Sequence, residues 1–409
     1  MQLSGDSIGY DKLKKDYNNF KNPHVVIFVN KKDIVEKNKK LSISQVNIDL
    51  SSGFEASVAS FRIYGMFDRN KGVFNTSKHE KYLYIGSQIE IALGYSISAV
   101  PVFVGVITKI NFVYEDPEIP YVVVTAMDAK GIMMANNNSR QLMATTIDKA
   151  VSEILQSPTY AGVTALGIIK GLSIEATPDS PAGAGPGAAT SATSVQTEKP
   201  TIEMVGESDY EFIVRMAKRV NYEFFISSGQ VIFRPAKVDK DIMMTITPSN
   251  VLRSFDIEYD ITGQVGEVEV RATDTDNGNL IKASTKVSNE WSFGSKAAKM
   301  VKGHKMVYLD PSVHTQAEAE SRKDYLVENT SYKFGTLNCE TLGVPELIPG
   351  KFVEIKGLGD GASNVFYLTR VRHVMSKKGE YKCVLEGKAK DIKPVSLTDI
   401  NFKGLGNLL

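Results

Sequence analysis

The sequence predicts a mainly β fold with α+β insertions, in which two related β-barrel units share one chain with a helix and hairpin module. Three observations carry this reading. A block around residue 86, Ile85-Gly86-Ser87-Gln88-Ile89-Glu90-Ile91, recurs around residue 350 as Pro349-Gly350-Lys351-Phe352-Val353-Glu354-Ile355, with the common core Gly-x-x-(Ile/Val)-Glu-Ile. Beyond it, YVVVTAMDAK (residues 121–130) lines up with YKCVLEGKAK (381–390), and between them GVITKI (105–110) lies opposite TRVRHV (369–374). A glycine, a glutamate and a spacing that recur together indicate two copies of one three-strand unit, a small barrel or sandwich. Second, short runs of β-branched and aromatic residues follow one another at turn-like spacing. Third, two capping boxes mark helices that interrupt those runs.

Residues 1–22 read as a polar, charged N-terminal extension without the apolar core of a secretory signal. From residue 23 to 135 the runs HVVIFVN, SISQVNIDL, ASVASFRIYG, IGSQIEIALGY, VFVGVITKINFVYE and YVVVTAMDA are separated by Gly, Asn, Asp or Pro, and form the first barrel. An α+β module is expected over 136–249. In it, Ile147, Val151, Ile154 and Leu155 share one helical face, with Pro158 just past the end. Residues 178–200 have almost no large apolar side chain and read as a disordered loop, because burial there cannot offset the ordering entropy. Ser208 and Glu211 form a capping box for a helix whose apolar face is Phe212, Ile213, Met216, Ala217 and Val220. A hairpin follows, with strands at Tyr222–Ile226 and Val231–Phe233. The second barrel is expected over 250–392, with an insertion at 273–332 that contains Trp291 and a helix capped by Thr315 and Glu318. Residues 393–409 read as a C-terminal tail.

Composition narrows the function classes. Of 409 residues, 48 are Lys or Arg and 47 Asp or Glu, so the global charge balance calls for neither nucleic acid nor an anionic membrane as partner. Local basic clusters do occur, among them Arg370, Arg372, Lys377 and Lys378 in the second repeat. Cys339 and Cys383 are the only cysteines, which excludes a disulfide scaffold or a Cys-based zinc site. No apolar run approaches the roughly twenty residues of a membrane span, so no membrane anchor is expected.

Catalytic chemistry is not indicated. His24, His79, His304, His314 and His373 fall in no metal-ligand spacing, and a lone strand histidine such as His373 reads as a packed, hydrogen-bonded residue. Nucleophile-elbow, P-loop and dinucleotide fingerprints are missing, and the AGAGPG tract lacks the lysine and helix of a phosphate cradle. No catalytic residue, cofactor or metal is therefore expected. Glu90 and Glu354 occupy equivalent places in the two repeats, which suits a structural or interface role better than a shared acid and base pair.

The run Glu207-Ser208-Asp209-Tyr210 with Phe212, leading into a Tyr/Phe-rich strand, a Gly hairpin and IFR, resembles the signature of the tail-hub family. That family comprises phage late control D proteins, baseplate hubs of contractile phages and the N-terminal part of VgrG spikes. Pro349-Gly350-Lys351-Phe352-Val353 resembles its Pro-Gly strand, and Leu368 to His373 its strand ending in Val-x-His. The resemblance spans residues 23–392 in order. It implies a structural baseplate hub: a homotrimer of two-barrel chains, giving a pseudo-sixfold ring that adapts a hexameric tail tube above to a trimeric spike below. Other baseplate proteins, and a tape measure protein in the lumen, are further partners it implies. The chain ends at residue 409 without an oligosaccharide-binding-type barrel or β-helix needle, so the spike is expected to be a separate protein. A phage, a tailocin or an extracellular injection system then fits better than a type VI component, with assembly in the bacterial cytoplasm before incorporation into a virion or particle baseplate.

Two other function classes are weighed beside it. A tail-associated cell-wall hydrolase would need a hydrolase segment, and none reads as one. A carbohydrate-binding β-sandwich adhesin would need an aromatic platform, and one tryptophan offers little to build it from. As interface residues the repeats offer Gly86, Glu90, Gly350 and Glu354, with the basic cluster Arg370, Arg372, Lys377 and Lys378.

Overall fold

A computed structural model describes residues 7–35, 42–76, 83–177, 202–274, 278–287, 299–311, 313–359 and 361–392. The loop expected over 178–200, the tail over 393–409, His79 and Trp291 lie outside the described residues.

The chain opens with helix α1 (Tyr10–Asp16) and continues into β1 (Pro23–Val29), β2 (Lys32–Asp33), β3 (Ser42–Ser51), β4 (Val58–Tyr64), β5 (Phe67–Asp68) and β6 (Val73–Phe74). Strands β7 (Gln88–Tyr95), β8 (Ser98–Val113) and β9 (Tyr121–Met127) complete the first repeat. Their inward positions alternate with outward ones, as half-buried strands require: Ala59, Phe61 and Ile63 on β4 and Val122, Val124 and Ala126 on β9 are buried.

A module then follows: α2 (Lys130–Met133), β10 (Asn138–Gln141), α3 (Ile147–Leu155), α4 (Pro158–Ala165), β11 (Gly171–Ile174), β12 (Glu203–Glu207), α5 (Asp209–Arg219), β13 (Tyr222–Ser227) and β14 (Gln230–Pro235). The expected face of α3 is buried, and Pro158 opens α4 at its first turn, where a missing N–H costs nothing. Ser208 Oγ accepts from the Glu211 N–H at 3.1 Å while Glu211 accepts from the Ser208 N–H at 2.8 Å, closing the capping box of α5. Strands β13 and β14 join through Ser228 and Gly229, both at positive φ, the two-residue turn that suits a twisted hairpin. The sequence gives no signal for β11, which adds in parallel to β14. Ile154, Phe212, Ile213, Met216, Phe224 and Phe233 form the separate core of this module.

The second repeat contains β15 (Ile242–Ile246), β16 (Leu252–Tyr259), and then an inserted sheet of β17 (Glu267–Thr273), β18 (Leu280–Lys286) and β19 (Lys305–Leu309) backed by α6 (Gln316–Ser331). Thr315 and Glu318 cap α6 reciprocally. The repeat resumes with β20 (Gly335–Leu342), β21 (Phe352–Ile355), β22 (Asn364–Met375) and β23 (Tyr381–Ala389). Strand β15, which the sequence groups with the α+β module, pairs with β21, and β17, expected in the second barrel, belongs to the inserted sheet.

The duplication is present in the strand order. The first repeat runs β3-β4-β9-β8-β7-β1 and the second β16-β20-β23-β22-β21-β15. The outermost strand differs, β1 being antiparallel to β7 and β15 parallel to β21. The two repeats are continuous in one large sheet, because β3 pairs antiparallel with β22. The expected closed barrels are not seen: among the described residues neither ladder returns on itself. The outer edge of β3 is taken by the other repeat instead of by its own. One core serves both, with Ile27, Ile48, Phe61 and Phe103 in the same cluster as Met244, Leu337, Val353 and Leu385.

Hydrogen bonds refine the alignment of the repeats. Gly86 N–H donates to Ile107 O at 2.8 Å and Ile107 N–H to Ser87 O at 2.9 Å; Gly350 and Lys351 make the same pair of bonds with Leu368. One residue later, Thr108 and Thr369 are bulged out of register, and each hydroxyl donates to a carbonyl across the strand, Thr125 O or Glu386 O. Val106–Ile110 thus matches Tyr367–Val371, three residues earlier than the sequence alignment of 105–110 with 369–374, and Thr125 matches Glu386, one residue later than that of 121–130 with 381–390. Alternating apolar residues align in many registers, and the bulge selects one.

Where the repeats meet, polar groups are buried and paired. Tyr95 OH donates to Gly343 O at 2.8 Å, and His373, fully buried, lies 2.8 Å from Tyr381 OH and 3.0 Å from Leu347 O. A carbonyl only accepts, so Nε2 carries the proton and Nδ1 accepts from the tyrosine. Burial pushes the His373 imidazole down to about 4. Between pH 6.5 and 4 the unfolded chain therefore binds a proton that the folded chain refuses, and stability falls as pH drops through that window. Urea unfolding should register a loss of about 3 kcal/mol from this group between neutral pH and pH 4. A His373→Gln variant, less stable at pH 7, should lack that part of the slope; an unchanged slope would show that the histidine is not held neutral.

Candidate assembly interface

The glycines and glutamates singled out in the sequence occupy matching positions. Gly86 has φ +90° and Gly350 φ +85°, each in the turn that leads into the equivalent strand of its repeat, β7 or β21. Such angles are natural for glycine and strained for other residues. Their surroundings differ: a Cβ on Gly86 meets nothing within 4 Å, whereas one on Gly350 would lie 2.6 Å from the Phe225 ring of β13. The Gly350 carbonyl also accepts from Arg234 at 2.8 Å. Glu90 ion-pairs with Lys170 of the α+β module at 2.6 Å, while Glu354 accepts from Thr245 of β15 at 2.9 Å.

The basic cluster lies on the seam between repeats. Arg370 Nε is 2.7 Å from Asp49 on β3, and Arg372 stands 3.6 Å from the same carboxylate and 3.8 Å from Glu386. Asp49, which carries no motif, is the acid that both arginines share. Lys377 and Lys378 are exposed in the turn between β22 and β23, with Lys377 Nζ 5.9 Å above the Tyr64 ring. Structure thus brings Arg370 and Arg372 together at a junction inside one chain, and leaves the two lysines at its end. The similarity of Ile107-Thr108-Lys109-Ile110 to Leu368-Thr369-Arg370-Val371 is the sequence signal that aligns β8 with β22, but nothing in the sequence pairs β22 with β3.

Beside the seam is a cleft of about 380 Å³ where the two repeats, the module and α6 converge, lined by residues including Glu55, Glu223, Lys237, Tyr332 and Arg370. Its buried carboxylate is Glu223, which accepts from Arg234 Nε at 2.7 Å and from the Tyr367 hydroxyl. Burial holds this carboxyl above the usual range, and Arg234 and Tyr367 pull it back. A carboxylate so committed ties β13, β14 and β22 together. It is poorly placed to exchange protons with a substrate. Lys130 has a similar part on the first repeat: fully buried, it donates to Gly53 O and Glu55 O at 2.8 Å, and burial pushes it down to about 8 against the pull of Asp128. Among the described residues no group of three or more His, Cys, Asp or Glu could hold a metal ion, and no helix is long and apolar enough to cross a membrane.

Comparison with solved structures defines the class of fold. The chain is similar to a tail protein of Neisseria meningitidis MC58 (TM-score 0.62, 14% identity, covering 90% of this chain and 97% of that one). It is similar, too, to the 43 kDa tail protein of prophage MuSo2 from Shewanella oneidensis (TM-score 0.62, 11% identity, 90% and 98% covered). A prophage tail protein of Listeria monocytogenes EGD-e matches at TM-score 0.51 with 9% identity, over 90% and 94% of the two chains. The fold is therefore one found in phage and prophage tail proteins. No curated protein matches the sequence. A family model described as the Alg8 N-terminal domain matches residues 186–377, less than half of the chain. That span starts outside the described residues and stops in the turn between β22 and β23, so it cuts a hairpin and corresponds to no unit of this fold.

Two substitutions probe this geometry. Gly86→Ala should cost about 1 kcal/mol in urea unfolding, from backbone strain alone, and Gly350→Ala distinctly more, because the Phe225 ring must move; equal costs would contradict the packing described. Arg370→Glu places a third carboxylate near Asp49 and Glu386 and should lower stability by about 1 kcal/mol at low salt, with recovery in the Arg370→Glu, Asp49→Arg double variant. Failure of the double variant to recover would remove the pair from the seam.

Proposed function

We propose that this chain is a structural hub of a contractile tail or tail-like injection baseplate, acting as a homotrimer that adapts a sixfold tail tube to a threefold spike. The observation that carries this reading is the repeated strand order, β3-β4-β9-β8-β7-β1 and β16-β20-β23-β22-β21-β15, joined in one sheet. Three copies of a chain with two like units put six like units around one axis, which can meet a hexameric ring. The α+β module and the inserted β17 to β19 sheet each occur once per chain and so keep only threefold symmetry. A sixfold face and a threefold face in one ring are what a junction between tube and spike requires.

The fold shared with phage and prophage tail proteins supports the same reading. On it, the partners are a tail tube protein, a separate trimeric spike, other baseplate proteins and a tape measure protein in the lumen. The chain is made in the bacterial cytoplasm and ends in a virion or injection-particle baseplate. Its role is non-catalytic: the cleft at the centre of the chain has its buried glutamate already paired with Arg234 and Tyr367.

Sedimentation of the purified chain should give three times the chain mass, with end-on electron-microscope averages showing six lobes around a hole. A monomer that stays monomeric when a candidate spike is added would overturn the proposal.

A further inference from the structure

The seam inside the chain has an open counterpart at each end of the repeat pair. Within the chain, the outer half of β22 pairs with β3: Arg372 opposite Asp49, His373 opposite Ile48, Val374 opposite Asn47, Met375 opposite Val46. The hydrogen-bonded equivalences between repeats put Asn111, Phe112, Val113 and Tyr114 of β8 and its end where Arg372 to Met375 stand. Likewise Phe255, Asp256, Ile257 and Glu258 of β16 stand where Val46 to Asp49 do, since Ile257 opposes Leu337 as Ile48 opposes Ala59. Among the described residues, nothing pairs with the outer edge of β16, and the outer half of β8 pairs with β9 alone.

Side chains at these open positions suit a contact that the single chain does not make. At the closed seam the inward residues are sealed: Val46 is 1% exposed, Ile48 and His373 0%, and Met375 7%. Their equivalents remain apolar yet face solvent, Phe255 at 46%, Phe112 at 47% and Tyr114 at 62%, with Ile257 half-buried. Edge strands that must stay alone are usually blunted by charge, proline or shortness; these carry aromatic residues. The rings on β8 are braced, Phe112 by Phe74 at 5.2 Å and Tyr114 by Phe67 at 5.4 Å between centroids. Charge is conserved in sign as well. Where Arg370 meets Asp49, the equivalents are Lys109 and Glu258.

We propose that a second copy of this chain fills the open edge: Asn111–Tyr114 of one copy pairs antiparallel with Phe255–Glu258 of the next, in the register of the internal seam. Asn111 then lies opposite Glu258, Phe112 opposite Ile257, Val113 opposite Asp256 and Tyr114 opposite Phe255, with Lys109 beside Glu258. The pairing extends the sheet from chain to chain by strand addition. Each copy offers one edge of each kind, so the contact is head-to-tail and closes into a ring when its rotation repeats that between the two halves of the chain. This inference rests on the hub reading for the number of copies, and on the internal seam for the residues.

The test is disulfide trapping in the full-length chain, where the native Cys339 and Cys383 are buried and do not interfere. Asn111→Cys with Glu258→Cys should give covalently linked chains on mild oxidation. Neither single variant nor a pair shifted by four residues, Asn111→Cys with Ser254→Cys, should do so. Lys109→Glu should weaken self-association at least tenfold, and adding Glu258→Lys should restore it. An assembled ring without the cross-link overturns the pairing and leaves the hub reading standing. A chain that is monomeric at every concentration, with a candidate spike added as well, and forms no cross-link overturns both.

Discussion

The antiparallel pairing of β3 with β22 is the constraint on which the rest of the structure depends. It converts two copies of a strand unit into one sheet and one core, so that Ile48 and Leu50 of the first repeat are buried against Val371 and His373 of the second. Because β22 occupies the outer edge of β3, the first repeat does not close on itself. Period-two alternation makes such a seam unforgiving, since a one-residue slip would turn His373 and Met375 to solvent and bring Arg372 into the core. The bulges at Thr108 and Thr369 sit at the same place in each repeat, in the β8–β9 and β22–β23 ladders.

The non-repeated parts are fastened to this frame by buried charge. Arg234 links Glu223 of its own hairpin to the Gly350 carbonyl of the second repeat, and Tyr367 closes the group from β22. Arg219 of α5 reaches Glu318 at the start of α6, and Arg322 of α6 donates to the Lys218 carbonyl at 3.3 Å, so the module and the insertion lean on each other. Buried ion pairs are weak sources of net stability but costly to break, which favours a single arrangement of the parts over neighbouring ones.

The duplication is asymmetric at its edges. One β3-type edge is covered inside the chain, and its β16 counterpart is open with aromatic residues on display. A duplicated unit that used both edges internally would have no reason to keep Phe112, Tyr114 and Phe255 at the surface.

The sequence by itself determined the existence of the duplication, the strand runs, the faces of α3 and α5 and both capping boxes, since each is written in local periodicity or in residues three or four apart. It also placed Gly86 with Gly350 and Glu90 with Glu354. Tertiary structure alone decided the register of the other strands, the membership of β15 and β17, and the fate of the arginine cluster. Arg370 and Arg372 read as interface residues whose acidic partner the sequence does not name, until Asp49, more than three hundred residues away, is brought beside them. Local pattern records which face of a strand is apolar, but not which strand lies next to it, because the hydrogen bonds that decide neighbours are made by a backbone that is the same at every residue.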